Sequence, residues 1–525
     1  MTITCRSWAR QLLLTMAVVL GVGAIHASPV SSLYIAPESR TQIKLSWDAP
    51  TDSATYVIYR KVAGTSDAFA WLTTLGASAR SYTDSALVSG TRYAYRLVRV
   101  DAGLESAGAE GTQSPYSPPI KITAGGSYSG NWDSQDPAVY AVDIWTNDPV
   151  TIENSFIRSK NKGISKMYGS ALTVRNVYGF GINPNVAGQR KGAFVDAGNF
   201  TSVTLENNWI EGFGAGLRAL NYGTAVDSNS GQSVTVRYNQ VRNVDGRQSN
   251  GAGGYILNAP RGGQAFGLNS VRRGRADVAW NEIINQPFQS EGEDMISTYE
   301  SGGTAASSML IRNNYVQGGY DGNVAADIGY SGAMINLGDC PSKHIDCAYV
   351  TAYGNRVVSF SNTGVGIAGG HHMQVYNNRA VSAQRAPDGT IINSQWRVGF
   401  GFWNYYSNPN WAANLLHDNY TYVVNRDGYT VPNYVGPATP TPSGDYYNNT
   451  VIGGAYQPDA IPGLTTAGEQ AEYAAWKTQL ASAGVKLGPQ WCVINTAGSK
   501  ICQSQTNTVP AKSVDLTPIL MLLLD

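Results

Sequence analysis

The residues Gln289 to Tyr299 read Gln-Ser-Glu-Gly-Glu-Asp-Met-Ile-Ser-Thr-Tyr, so Glu291, Glu293 and Asp294 crowd one short segment of a chain otherwise poor in charge. Paired carboxylates suit glycosidic cleavage. One protonates the leaving oxygen while the second acts on water or on the sugar, with the two ~5–9.5 Å apart. Asp339 and His371 follow in the chain and complete the candidate catalytic set Glu293, Asp294, Glu291, Asp339 and His371. Lyase chemistry needs instead a base beside a uronate carboxylate and a cation for the developing charge, which His371, Arg397 or Arg218 would supply. Aromatic faces stack on sugar rings, and Trp396, Trp403, Tyr405, Tyr406 and Trp411 cluster in sequence. Arg218, Tyr299, Arg397, Trp403, Asn404 and Tyr405 are the expected substrate-binding residues. Plainer roles stand beside these: solvated loop charges for the acidic run, a turn for Asp339, turn or ladder positions for His371 and His372. No nucleophile elbow, phosphate loop or metal-binding helix is present, so neither a metal nor a cofactor is expected, and calcium is not indicated.

Such residues act together only if the backbone stacks them. Between about Val150 and Gly454 one motif recurs: two alternate apolar residues, a gap, an Asn, and an apolar residue two positions on. It runs through Val203, Leu205, Asn208 and Ile210; Val234, Val236, Asn239 and Val241; Met309, Ile311, Asn314 and Val316; Val350, Ala352, Asn355 and Val357; and Met373, Val375, Asn378 and Ala380. Weaker copies surround Asn154, Asn281, Asn419 and Asn449. The interval runs from 23 residues (Asn355 to Asn378) to 42 (Asn239 to Asn281), which fits solenoid coils carrying loops of different length. A second strand follows each motif as Gly and apolar alternation at Gly214–Leu217, Gly254–Leu257, Gly332–Ile335, Gly364–Ile367 and Gly399–Phe402. In stacked coils ~4.8 Å apart, outward side chains of equivalent positions form one patch, so Glu293 or Asp294, Asp339 and His371 are expected to share a groove.

On these motifs residues 120–460 resemble a pectate-lyase-like right-handed parallel β-helix. The resemblance implies an all-β solenoid of the secreted polysaccharide-processing type. It leads to the expectation of a polysaccharide-degrading glycoside hydrolase, with a polysaccharide lyase or a non-catalytic glycan-binding surface or matrix protein as alternatives. The Asn-Thr-Asp, Asp-Asp and His-Gly set of polygalacturonases is missing, as is the calcium-binding Asp cluster of classical pectate lyases.

Residues 32–119 have another texture. Leu45-Ser46-Trp47, Tyr56-Val57-Ile58-Tyr59-Arg60, Tyr82-Thr83-Asp84 and Thr91-Arg92-Tyr93-Ala94-Tyr95-Arg96-Leu97 alternate with period two between turn-rich breaks. In order and spacing they resemble a fibronectin type III domain. Ser114 to Pro119 reads as a linker. Arg6 and Arg10 before the apolar run Leu12 to Val22 predict an export signal over residues 1–27. Residues 461–525 are expected to form a helical cap and tail, starting with Thr466 and Glu469 as a helix start. With Cys5 in the export signal, the remaining four cysteines predict disulfides rather than a zinc site, whose ligand spacing is lacking; three connectivities are open, and the short separations favour Cys340 with Cys347 and Cys492 with Cys502. With 14% charged residues and a net charge of +0, a polybasic nucleic-acid binder is excluded. The expected protein is secreted or periplasmic and monomeric. Its partner is a polysaccharide, bacterial exopolysaccharide or plant cell-wall glycan, with no nucleic acid and no membrane.

Overall fold

The computed structural model describes residues 27–50, 53–221, 231–256, 262–325, 332–342, 344–393, 398–424, 431–435, 446–447, 449–452, 466–491, 493–495 and 500–502. The expected signal segment before Ala27 and the tail beyond Cys502 lie outside them. Strands Ser32–Ser39, Gln42–Asp48 and Ser81–Asp84 form one antiparallel sheet, and Ala70–Leu75, Thr55–Val62, Tyr93–Asp101 and Ala109–Gln113 a second. The period-two pattern brings Leu45, Trp47, Tyr56, Ile58, Tyr95 and Leu97 between them, with Trp47 against Tyr56 at 5.3 Å between ring centroids. The Tyr93 hydroxyl accepts the Val88 amide at 3.0 Å, the tie of a tyrosine corner. This is the fibronectin-like sandwich.

From Ile120 onward the chain winds into a parallel β-helix of the right-handed sense that parallel crossovers take. One parallel sheet holds 11 strands, from Ile120–Ile122 to Val431–Val435. The other two faces of most coils are short strands that meet at a sharp corner, such as Ser202–Glu206 and Trp209–Glu211, while Val150–Ser159 and Ala171–Gly181 each run through it. The repeated Asn sits just past that corner. Asn314 Oδ1 accepts Asn281 N and Nδ2, both at 3.0 Å, while Asn314 Nδ2 donates to Val278 O at 2.8 Å and to Asn355 Oδ1 at 2.9 Å. The same pattern links Asn208, Asn239, Asn281, Asn355, Asn378, Asn419 and Asn449. Each corner needs a left-handed residue before the ladder, as at Asn207 (φ 54°) and Asn313 (φ 51°), a conformation Asn tolerates. Asn154 is such a corner residue (φ 49°). Its neighbour Ser155 takes the ladder position and accepts the Gly130 amide, so the weak copy expected at Asn154 is displaced by one residue.

The strand expected at Gly254–Leu257 is corrected. Tyr255–Ile256 pairs antiparallel with Gln248–Ser249 in a hairpin off the stack, and the coil strand is Gln264–Asn269. Residues 114–119, expected as a linker, are packed rather than free: Ser114 and Tyr116 are buried, and Arg158 lies 4.8 Å from the Tyr116 ring centroid. Arg40 donates to the Asp133 carbonyl at 2.8 Å and Arg158 to the Glu38 carbonyl, docking sandwich and solenoid.

The C-terminal helix, Thr466–Ala483, covers the flank of the stack. Trp476 is fully buried against Trp280 and Tyr315, and Glu472 bridges Arg356 and Arg379. Glu469 accepts the Ala383 amide at 2.7 Å, so its carboxylate serves the solenoid. The chain then returns along the coils, with Trp491 against Phe156 and Tyr178, and Lys500–Cys502 pairs in parallel with Ser32–Tyr34 of the sandwich. Among the described residues no helix is long and apolar enough to cross a membrane. Cys340 and Cys347 form a disulfide with Cα atoms 6.3 Å apart. Cys502 is disulfide-bonded too, while Cys492 lies outside the described residues.

Candidate functional site

The outer face of the 11-stranded sheet carries the groove. Its inward row, from Leu217 through Phe266, Ile296, Ile335 and Val365 to Phe400, is in register from coil to coil and holds the core. The residue after each points outward: Arg218, Gly267, Ser297, Asn336, Gly366 and Gly401 lie on one floor line. A second outward line carries Asp294 beside Ala333, and a third carries Tyr299 paired with Asp339 across a register shift. Asp294 thus stands at the start of its strand and Asp339 at the end of the next, and both side chains line the same groove.

Asp294 is 8% exposed and accepts Asn336 Nδ2 at 3.3 Å. Burial first, then the neighbouring carboxylates Glu293 and Asp339, push it up to about 7. Burial also raises Asp339, partly offset by the Tyr406 hydroxyl, which donates to its Oδ1. Burial and that same contact raise the Tyr406 phenol far above its ordinary value. Glu293 is the exposed neighbour on the rim. The groove thus holds one carboxyl that keeps its proton near neutrality and a second anchored by a phenol, the division of labour that acid and base work requires.

Toward the C-terminal coils the groove is a cleft of about 290 Å³ lined by Trp403, Tyr405 and Tyr406 over Gly366 and Gly401. Successive rings meet edge to face, Trp403 with Tyr405 and Tyr405 with Tyr406, each at 4.9 Å between centroids. Toward the N-terminal coils the same carboxylates face Arg190, Lys191, Arg218, Gln264 and Tyr299. The structure therefore brings together Glu293, Asp294, Asp339, Arg218, Tyr299, Trp403 and Tyr405.

Other expected members lie elsewhere. Glu291 is fully buried beneath the groove, where neither carboxylate oxygen makes a hydrogen bond. Burial, Asp245 and Asp321 push it up to about 7 against the pull of Arg190 and Arg247. His371 does not line the groove. It sits at a corner between Ala348 and Ala412, bonded to Asp346 at 2.6 Å and to His372 at 2.7 Å, because the chain has already turned off the sheet there. Asn404 braces its own loop through Asn408 N and O and takes no part in the lining. Trp411 packs into the core against Phe402. Arg397 and Trp396 lie outside the described residues. What the sequence did not single out is the hold of Tyr406 on Asp339, across 67 residues, and the contact of Asn336 with Asp294. No local pattern marks either.

No family model matches the chain. A poly(3-hydroxybutyrate) depolymerase of Ralstonia pickettii is 31% identical over 81 residues, 15% of this chain and 14% of that protein. Among solved structures, the fibronectin type III domain of human collagen alpha-1(XX) matches at 20% identity over 18% of this chain and 90% of its own, with a TM-score of 0.17. Domains d3-d4 of the rat CD45 extracellular region match at 16% identity over 17% of this chain and 50% of theirs, with a TM-score of 0.15. The chain spans a small part of the depolymerase.

Proposed function

We propose that this protein is a secreted hydrolase that cuts a polysaccharide lying in the outer groove of its β-helix. The observation that carries the reading is the convergence of Asp294 and Asp339 in one aromatic-walled groove, with Asp294 raised to about 7 by burial and by its acidic neighbours. Asp294 acts as the general acid on the glycosidic oxygen. Asp339, oriented by Tyr406, serves water or the sugar as the second carboxylate. Trp403 and Tyr405 offer ring faces and edges to the glycan. The Cys340 to Cys347 disulfide supports an oxidising compartment. The depolymerase likeness supports action on a polymer over too short a stretch to choose that polymer.

The test is incubation of the chain from Ser28 onward with bacterial exopolysaccharides and pectins, following reducing ends and the absorbance of unsaturated uronate together. Expected are new reducing ends without that absorbance, lost in Asp294→Asn and Asp339→Asn, at a rate that falls as pH rises above about 7 and Asp294 loses its proton. Absorbance rising with the reducing ends would convert the reaction to a lyase. Glycan retained but never cut would leave a binding protein.

A further inference from the structure

The groove changes character on either side of its carboxylates. Among the described residues, the C-terminal half is lined by no Lys, Arg or His, and its aromatic wall stands over a floor left bare at Gly366 and Gly401. The N-terminal half is lined by Arg190, Lys191 and Arg218. Two of these cations are already committed: Lys191 pairs with Asp245 at 2.8 Å, and Arg190 Nε donates to the Gly246 carbonyl at 2.8 Å. Arg218 is exposed, and with the described residues it makes no hydrogen bond or ion pair. Asp196, one coil below it in register, has its charge met by Lys162 at 2.7 Å.

Register fixes where that guanidinium stands. Arg218 aligns with Gly267 and Gly267 with Ser297, so it lies two coils from the strand Asp294–Tyr299, ~9.5 Å along the stack. Glu293 and Asp294 stand at the start of that strand and Asp339 one coil beyond it, and their charges repel an anionic sugar placed over them. A polymer charged at every unit is therefore disfavoured at the centre, while an uncharged polymer leaves Arg218 unused. We propose that the groove takes a linear glycan of mixed charge, with a uronate carboxylate seated on Arg218 and uncharged sugars across the Asp294 and Asp339 side chains and against Trp403. A planar guanidinium matches a carboxylate with two parallel hydrogen bonds, which sets the register of the chain relative to the carboxylates. The inference rests on the groove being a glycan site and does not need the glycan to be cut.

Affinity electrophoresis of Asp294→Asn in gels containing hyaluronan or gellan, whose uronates are separated by uncharged sugars, tests it against polygalacturonate and pullulan. The expected result is tighter retention by a mixed polymer than by either control. Adding Arg218→Gln weakens that retention about tenfold, the loss of one charge-assisted contact, and removes its dependence on salt. Trp403→Ala weakens retention while keeping the salt dependence. The assignment is overturned if polygalacturonate or pullulan is held as tightly as the better mixed polymer, if Arg218→Gln changes nothing, or if no polymer is retained. Retention that needs Arg218 while the parent chain cuts no polymer sinks the hydrolase and spares this assignment; cutting by the parent chain with retention indifferent to Arg218 does the reverse.

Discussion

Replacing Asp294 by Asn separates the cost of the groove from its chemistry. In the folded chain burial, Glu293 and Asp339 raise this carboxyl from an ordinary 3.8 to about 7. Below 3.8 it is protonated in both folded and unfolded chains. As pH rises from there, the unfolded chain releases the proton and the folded chain keeps it, so stability is lost progressively until about 7, above which both states are ionised. At ~1.36 kcal/mol per pH unit, that interval amounts to roughly 4 kcal/mol. Asparagine keeps the shape and the contact with Asn336 while having no charge to bury. Asp294→Asn is therefore expected to match the parent near pH 4, to gain through pH 5 and 6, and to level off above pH 7 as the more stable protein. For a chain of this length the plateau corresponds to a rise of about 4 °C in Tm, by the usual entropy per residue. Scanning calorimetry of both proteins from pH 4 to pH 8 gives the difference directly, and the same substitution abolishes cleavage. A constant difference at every pH, or one that shrinks as pH rises, would refute the view that Asp294 is held neutral by its surroundings.

Two further outcomes follow from the packing. Asn314→Ala strands the buried Asn281 amide and Val278 carbonyl and interrupts the ladder toward Asn355, at a cost of about 3 kcal/mol; urea unfolding that shifts by less than ~1 kcal/mol would count against the ladder as a stabilising device. Glu472→Ala leaves Arg356 and Arg379 without their shared carboxylate, and because both arginines are partly exposed the loss is roughly 2 kcal/mol. Its readout is faster tryptic cleavage at Lys477, and resistance equal to the parent's would show that the aromatic contacts of Trp476 hold the helix alone.

The stacked coils were legible because their signal is local and repeated. An Asn that serves the same corner in coil after coil leaves the same short spacing each time, and the apolar residues around it follow from the inward rows. The sandwich was legible for a like reason, since alternation places Trp47 and Tyr56 inside without reference to distant residues. The carboxylates were a different matter. Met295 and Ile296 are consecutive and both buried, so parity breaks at the start of this strand, and counting cannot say that Asp294 enters the groove wall while Glu291 goes underneath. The surroundings that push Glu291 up, Asp245, Asp321, Arg190 and Arg247, come from other coils. Asp339 comes opposite Tyr299 only through a register shift, and Tyr406 reaches Asp339 from a loop two coils further on. The three-residue strand Lys500–Cys502, which joins the end of the chain to Ser32–Tyr34, is too short to carry a pattern at all. Sequence alone determined the repeating backbone, because each repeat presents the same Asn and the same apolar row to the coils above and below it. Tertiary structure decided the site, because register, corner geometry and loop length bring its parts together, and those depend on residues far apart in the chain.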